Sequence, residues 1–438
     1  MNRIAIRRED KNHWERRVPL IPDAVVELVA ADVPLAVQPS EVRAFPDEAY
    51  ATAGATIRED IEKADLILGV KEVPPRYFQR PAAWMFFSHT IKGQADNMPM
   101  LQALLDSGST LFDYELITDE DGRRLVFFGR HAGYAGMVET LVALSARWTA
   151  RGLRHPFKSL RQPYMYSELA TLVEALGEIG EEIDETGFEA AGGPPRIAVL
   201  GNGNVSSGVQ AILNALPTQW HTPSEYLALG DDADPHRVHA AIFQEEDLVR
   251  RRDGSTFDLK HFYDHPAEYE PTTLPLLTKS TAVVTTYYWD DRFPRYISNA
   301  ALKEAAHTDG FRLEVIGDIT CDIDGSVEPT VRPTDPGDPC YGFDPRTGEH
   351  TDEITDDVLS IMAVDNLPCE LSVDASRHFS LALLPFIVSL SDADLEAPTL
   401  EESGLSATLR RACIAWRGDL TQAFVYLKEP LNAAGGEP

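Results

Sequence analysis

Residues 196–210 read RIAVLGNGNVSSGVQ, and few folds can accommodate them. Ile197 to Leu200 is an unbroken apolar run, the pattern of a parallel strand buried on both faces. It passes straight into Gly201-Asn202-Gly203-Asn204-Val205-Ser206, after which Val209, Ile212, Leu213 and Leu216 recur at helical spacing. Strand, glycine turn and helix in that order form the setting a dinucleotide fingerprint needs. Gly201 allows the tight turn and Gly203 lets a pyrophosphate approach the backbone. The first N–H groups of the helix, at Asn204 and Val205, receive its charge. Ser206 stands where the third small residue is usually Gly or Ala, which weakens the match. The plainer alternative is an ordinary glycine-rich strand-to-helix turn.

Upstream, short apolar runs alternate with helical stretches. Residues 3–7, 35–38, 65–70, 84–88 and 110–116 read as strands, with helices over 22–30, 45–53 and 97–107. This alternation predicts a doubly wound parallel sheet, and ligands of such sheets sit at the carboxyl ends of the strands. Lys71 and His89 both fall just past predicted strand ends. Residues 133–150 form a long apolar helix whose start is crowded by Gly129, Gly133 and Gly136. Another helix follows over 166–182. Gly and Pro enrichment over 187–195 then marks a linker. Further strands are expected at 280–288, 313–318 and 360–364, with a long loop over 328–352. Helices at 375–390, with Pro385 inside, and at 408–416 close the chain.

Composition narrows the partners. The 438 residues suit two or three domains, and 43% hydrophobic with 25% charged residues is ordinary for a globular protein. A formal net charge of −31 argues against nucleic acid or an anionic membrane as partner. No apolar run of spanning length and no signal-peptide pattern is read at this stage, so a cytoplasmic setting is expected. Cys321, Cys340, Cys369 and Cys413 are scattered without paired spacing, which suggests neither a metal site nor disulfides.

A second strand is read at 219–222. A dinucleotide fold usually carries an acid at the end of its second strand, to take the ribose hydroxyls. Here Thr222 holds that place, with neither a carboxylate to repel a 2′-phosphate nor an arginine to attract one. NAD and NADP both stay open, with a slight lean to NADP(H).

Several segments together resemble a known family. IRREDKNHWERRVPLIP, GVKEVP, FFSHTIKGQ, LFDYELITDEDGRRLVFFGRHAGYAGM, GNGNVSSG, DITCDIDGSVE and VDNLPCELSVDASRHF are similar to the lysine–ketoglutarate reductases. These are the L-lysine-forming saccharopine dehydrogenases, within the alanine dehydrogenase and transhydrogenase fold group. The likeness is nearer to the reductase half of the bifunctional lysine-degrading protein than to the fungal one. A saccharopine-cleaving, glutamate-forming half is not expected in this chain. The resemblance implies two Rossmann-like domains separated by a cleft. A substrate domain spans 1–186, a dinucleotide domain 187–366, and helices of 367–438 return to the first.

The resemblance also implies the chemistry. The amine of L-lysine and the keto carbon of 2-oxoglutarate condense to an imine, which an NAD(P)H-derived hydride reduces to saccharopine, or the reverse. Lys71 and His89 match the family's acid–base pair, and Arg17 its carboxylate-binding arginine. Glu72 and Glu115 match acids near that pair. Lys92, Arg124 and, more weakly, Arg123 and Arg130 are candidates for the same anionic pocket. Asp318, Asp365 and Asn366 are placed beside the nicotinamide ribose. Three alternatives remain: an opine-type enzyme with another amine or keto acid, an alanine-dehydrogenase-like enzyme using ammonia, and a non-catalytic nucleotide-binding regulator. Oligomeric state and direction in the cell are left open.

Overall fold

The computed structural model describes residues 1–434, which divide into two compact units. One comprises Met1–Phe128 and the segment from Ser372 onward, the other Gly129–Leu371. Each is an α/β unit on its own eight-stranded, mostly parallel sheet.

In the first unit the strands lie side by side in the order Asp419–Leu420, Cys413–Trp416, Thr110–Asp113, Ala83–Phe86, Leu66–Leu68, Ile4–Ile6, Leu35–Val37 and Thr56–Ile57. From Thr110–Asp113 to Thr56–Ile57 all pairings are parallel. The central strands are buried at every position, which explains their continuous apolar runs. The chain builds outward from Ile4–Ile6 on one side, then returns to its other side with Leu66–Leu68. The order therefore reverses between these two strands, the place where parallel sheets open a binding crevice.

The helix Ser372–Asp392 belongs to this unit and lays Ala375, Phe379, Leu383, Ile387 and Leu390 into its core. Pro385 sits inside the helix without ending it. The hydroxyls of Ser376 and Ser380 accept the backbone N–H groups of Val18 and Ile21, each at 3.0 Å, and so pin the loop that carries Arg17. By length and composition, Leu367–Asp392 would be apolar enough to cross a membrane, contrary to the sequence reading; half of that stretch is buried within the protein. The helix expected over 408–416 forms only as Ala407–Arg411. Cys413–Trp416, four buried residues in succession, instead joins the sheet antiparallel to Thr110–Asp113.

The second unit orders its strands His350–Thr351, Cys340–Phe343, Leu359–Met362, Val315–Asp318, Ala282–Thr285, Arg196–Leu200, Val238–Phe243 and Thr218–His221. Two differ from expectation. The segment 328–352 is not all loop, because Cys340–Phe343 and His350–Thr351 extend the sheet antiparallel at its edge. The strand Val238–Phe243, unread in the sequence, separates Arg196–Leu200 from Thr218–His221 and pairs parallel with both.

The boundary between units also differs from the linker reading, which placed it near residue 187. The helices Gly129–Ala150 and Leu169–Thr186 belong with the second unit. The first crosses Asn204–Asn214 glycine to glycine. A Cβ added at Gly133 would collide with the Val205 carbonyl and lie 2.9 Å from the Gly208 Cα. The second buries Leu172, Leu176, Ile179 and Ile183 in the core shared by Ile197 and Val199. Gly133 thus serves a close helix crossing, while Gly136 makes room for Ile319 and Leu367.

The same long helix buries Glu139 completely, against Glu370 of the turn Leu367–Leu371, while Gln162 Nε2 donates to Glu139 at 3.3 Å. Burial raises Glu139 to about 7, against the opposing hydrogen bonds of Glu370 and Gln162. Burial and the neighbouring Glu139 push Glu370 well above the usual carboxylate range.

Candidate active site and nucleotide site

At the reversal point of the first unit, Glu9 follows the strand Ile4–Ile6 and reaches across to the next strand end. Its carboxylate accepts the backbone N–H of Val70 at 2.8 Å and of Lys71 at 3.0 Å. This fixes the backbone from which Lys71 and Glu72 project. Glu72 Oε1 lies 2.5 Å from His89 Nδ1, and its Oε2 lies 3.2 Å from Lys11 Nζ. Burial works to raise the Glu72 carboxyl, but the bond and charge of His89, with Lys11 and Lys71, hold it below the usual range. Glu72 therefore stays ionised and orients the imidazole through Nδ1, leaving Nε2 as the nitrogen that exchanges a proton.

Lys71 is held below the ordinary lysine value. Burial is the main cause, the charges of Arg17 and Lys11 add to it, and Glu72 and Glu15 oppose it. An amine so placed gives up its proton more readily than a solvated one. Arg17 is 3% exposed and grips Glu15 bidentately, Nε to Oε1 at 2.8 Å and Nη2 to Oε2 at 2.6 Å. Its guanidinium stands 4.2 Å over the Phe128 ring. A substrate carboxylate can reach Arg17 only by sharing it with Glu15.

His89 has a φ of +50°, a left-handed conformation uncommon for a side-chain-bearing residue. Asn97 Nδ2 donates to its carbonyl at 3.0 Å, and Phe87 stacks beside its ring with centroids 6.3 Å apart. On the next strand, Asp113 accepts the Ser88 N–H at 2.9 Å and hydroxyl at 2.5 Å, steadying the residue before His89. Lys71, Glu72, His89 and Arg17 thus lie close enough to act on one another, Glu72 bonding His89 and the charges of Glu72 and Arg17 acting on Lys71. Glu9, Lys11, Glu15 and Asp113 were missed. An acid just past the first strand was the available signal for Glu9.

The remaining basic and acidic candidates make other contacts. Glu115 and Arg124 form an ion pair with each other, and Arg124 is exposed. Lys92 is exposed on the loop after His89, and Arg123 and Arg130 are also exposed.

In the second unit the strand order reverses between Arg196–Leu200 and Ala282–Thr285, and the glycine turn lies there. Gly201 adopts a φ of +102°, and a Cβ on it would press to 2.9 Å from Thr286 Oγ1 and 3.0 Å from the Tyr287 nitrogen. At Gly203 a Cβ would meet nothing within 4 Å, so the backbone there is open to a ligand. Asn204 and Val205 begin the helix Asn204–Asn214 with their N–H groups in its first turn. A cavity of about 330 Å³ adjoins the turn, lined by Gly201, Asn202, Gly203, Gln244, Glu245, Tyr263 and Tyr288 among others. These residues fit a dinucleotide.

Two of the cofactor candidates are engaged with other partners. Thr222 follows the outermost strand and caps its own helix, exchanging hydrogen bonds with Glu225. It does not line the cavity. Asp318 is fully buried and accepts three hydroxyls, from Thr285 at 2.6 Å, Thr320 at 2.5 Å and Thr330 at 2.7 Å. Oδ1 takes two of these hydroxyls and Oδ2 the third, and together they hold strand ends in place. Asp318→Ala strands three hydroxyls. It is expected to cost about 3 kcal/mol or more, read as a lower urea midpoint. Asp365 and Asn366 follow the strand Leu359–Met362, but neither lines the cavity.

Residues 5–135 match the family described as alanine dehydrogenase/PNT, N-terminal domain. Over 97% of its length the chain is 37% identical to alpha-aminoadipic semialdehyde synthase of Arabidopsis thaliana, covering 41% of that protein. It is 31% identical to the mitochondrial counterpart of Mus musculus, covering 47%. The chain therefore spans less than half the length of these relatives. It is 28% identical to the saccharopine dehydrogenase [NAD(+), L-lysine-forming] of Neurospora crassa, over 88% of this chain and 90% of that one. Among solved structures, an L-alanine dehydrogenase matches with a TM-score of 0.61 at 19% identity, over 98% of this chain and 99% of that one. A transhydrogenase from Sinorhizobium meliloti matches at 0.53 and 14% identity, over 96% and 100%. The two structural likenesses bear on the fold, which they share with both units. The chain is thus similar over nearly its whole length to part of the alpha-aminoadipic semialdehyde synthases and to the L-lysine-forming saccharopine dehydrogenases, and its residues 5–135 match the alanine dehydrogenase/PNT N-terminal domain.

Proposed function

We propose that the protein is a nicotinamide-dependent oxidoreductase acting on a CH–NH bond, joining L-lysine to 2-oxoglutarate to give saccharopine or running the reverse. The observation that carries this reading is the network of Lys71, Glu72 and His89 at the reversal point of the first sheet. Neutral Lys71 takes the proton from the attacking ammonium. The freed amine adds to the keto carbon. His89, charged and oriented by Glu72, gives its Nε2 proton to the departing hydroxyl as the carbinolamine becomes an imine. Both groups then exchange protons again, in the sense the next half-cycle needs. Arg17, shared with Glu15, supports a substrate carboxylate and adds positive charge that keeps Lys71 ready to deprotonate. A nicotinamide dinucleotide, whose pyrophosphate Gly201 to Val205 of the second unit would hold, would supply the hydride for the imine.

The test is consumption of reduced nicotinamide with lysine and 2-oxoglutarate together. Turnover that requires both substrates supports the reading. Turnover only with another amine or keto acid returns the opine-type alternative, and turnover with pyruvate and ammonia returns the alanine-dehydrogenase one. Dinucleotide binding without turnover on any pair leaves a regulator. Action without nucleic acid or an anionic membrane is part of the proposal, supported by the acidic net charge of −31.

A further inference from the structure

The acid that reads the ribose in a dinucleotide fold stands at the end of the strand beside the glycine strand. In chain order that strand is usually the next one. Here the next strand, Thr218–His221, lies at the sheet edge, and Val238–Phe243 occupies the neighbouring place. A direct bond marks the contact, since Gly201 N–H donates to the Phe243 carbonyl at 2.8 Å. The residues that follow are Gln244 and Glu245, and both line the cavity with Gly201 and Gly203. Glu245 is half-buried, and the Tyr263 hydroxyl donates to its Oε1 at 3.1 Å, which sets the carboxylate's position. No lysine, arginine or histidine is among the residues lining the cavity. Two more acids, Glu246 and Asp247, come next in the chain.

We infer that Glu245 is the specificity-determining residue for the nucleotide, accepting the vicinal ribose hydroxyls of NAD(H) and rejecting the 2′-phosphate of NADP(H). This rests on the proposed binding of a nicotinamide dinucleotide at the glycine turn, and it reverses the lean taken from Thr222. A carboxylate accepts two hydroxyl donors well. It repels a phosphomonoester dianion, and no lining cation offsets the repulsion.

The test needs no turnover. The whole protein is titrated separately with NADH and NADPH, following nicotinamide fluorescence. NADH is expected to bind about tenfold or more tighter. Glu245→Gln, which keeps shape and removes charge, is expected to shrink that ratio mainly by tightening NADPH. Thr222→Ala is expected to leave it unchanged. Equal or tighter NADPH binding by the unaltered protein, an unmoved ratio in Glu245→Gln, or a moved ratio in Thr222→Ala would each overturn the assignment while leaving nucleotide binding intact. Failure of both nucleotides to bind would instead overturn the reading on which it rests.

Discussion

Lys71→Met is expected to lower kcat about 10²- to 10⁴-fold, the range for loss of a positioned acid–base group. Dinucleotide binding, which the second unit provides, should be unchanged, so the loss is separable from misfolding. The pH profile gives the sharper sign. Burial first, then Arg17 and Lys11, hold the Lys71 ammonium below the ordinary lysine value of 10.5. Activity that needs the neutral amine therefore rises with pH before a free lysine would titrate. Lys11→Met removes one of those cations, makes the charged form of Lys71 less costly, and should move the rising limb to higher pH. The displacement is modest, because the Lys11 side chain is 38% exposed and solvent screens it. A kcat untouched in Lys71→Met would remove this residue from the mechanism, whatever the protein's substrates.

Gly208→Ala is expected to destabilise the second unit by about 3 kcal/mol or more, although the change alone improves helix propensity by about 1 kcal/mol. Packing decides the sign. A Cβ at Gly208 would strike the Arg130 carbonyl and lie 2.8 Å from the Tyr134 nitrogen and 2.9 Å from the Gly133 Cα. Every one of these is backbone of the crossing helix, and none can yield by changing rotamer. Gly177→Ala is the contrast, since a Cβ there meets nothing within 4 Å on the helix Leu169–Thr186. That substitution should stabilise by roughly 0.5–1 kcal/mol. Urea unfolding of both variants reads the difference, and equal effects would discard the crossing as the cause.

The parts of this fold that could be read from the sequence share one property: their local pattern and their tertiary place agree. Ile197 to Leu200 is apolar because both sheet faces are covered, and Gly201 is glycine because Thr286 and Tyr287 crowd it. Lys71 and His89 were visible because strand ends are where parallel sheets expose side chains. What escaped depends on spatial order. Nothing within residues 218–222 says that a later strand inserts before them, so the place of Thr222 at the sheet edge could not be read. Asp318 looked like a ligand residue because its three hydroxyl donors arrive from Thr285, Thr320 and Thr330, scattered along the chain. The crowding of glycines at 129–136 was visible, but the reason for Gly133 lies more than 70 residues on, at Gly208.

A proton held by the buried carboxyls of Glu139 and Glu370 behaves as a ligand of the native state. Unfolding would release both carboxyls to water and to their ordinary acidity, near 4.5, while the folded form raises Glu139 to about 7. The native chain therefore holds more protons across that interval. The stability this confers is complete below the lower value and drains away as pH climbs through the upper one. Thermal midpoints taken from about pH 5 to about pH 9 should fall on the alkaline side, and Glu139→Gln should flatten that slope. The buried pair thus adds stability in mild acid that alkali removes, a preference set by the packing of a helix against a turn.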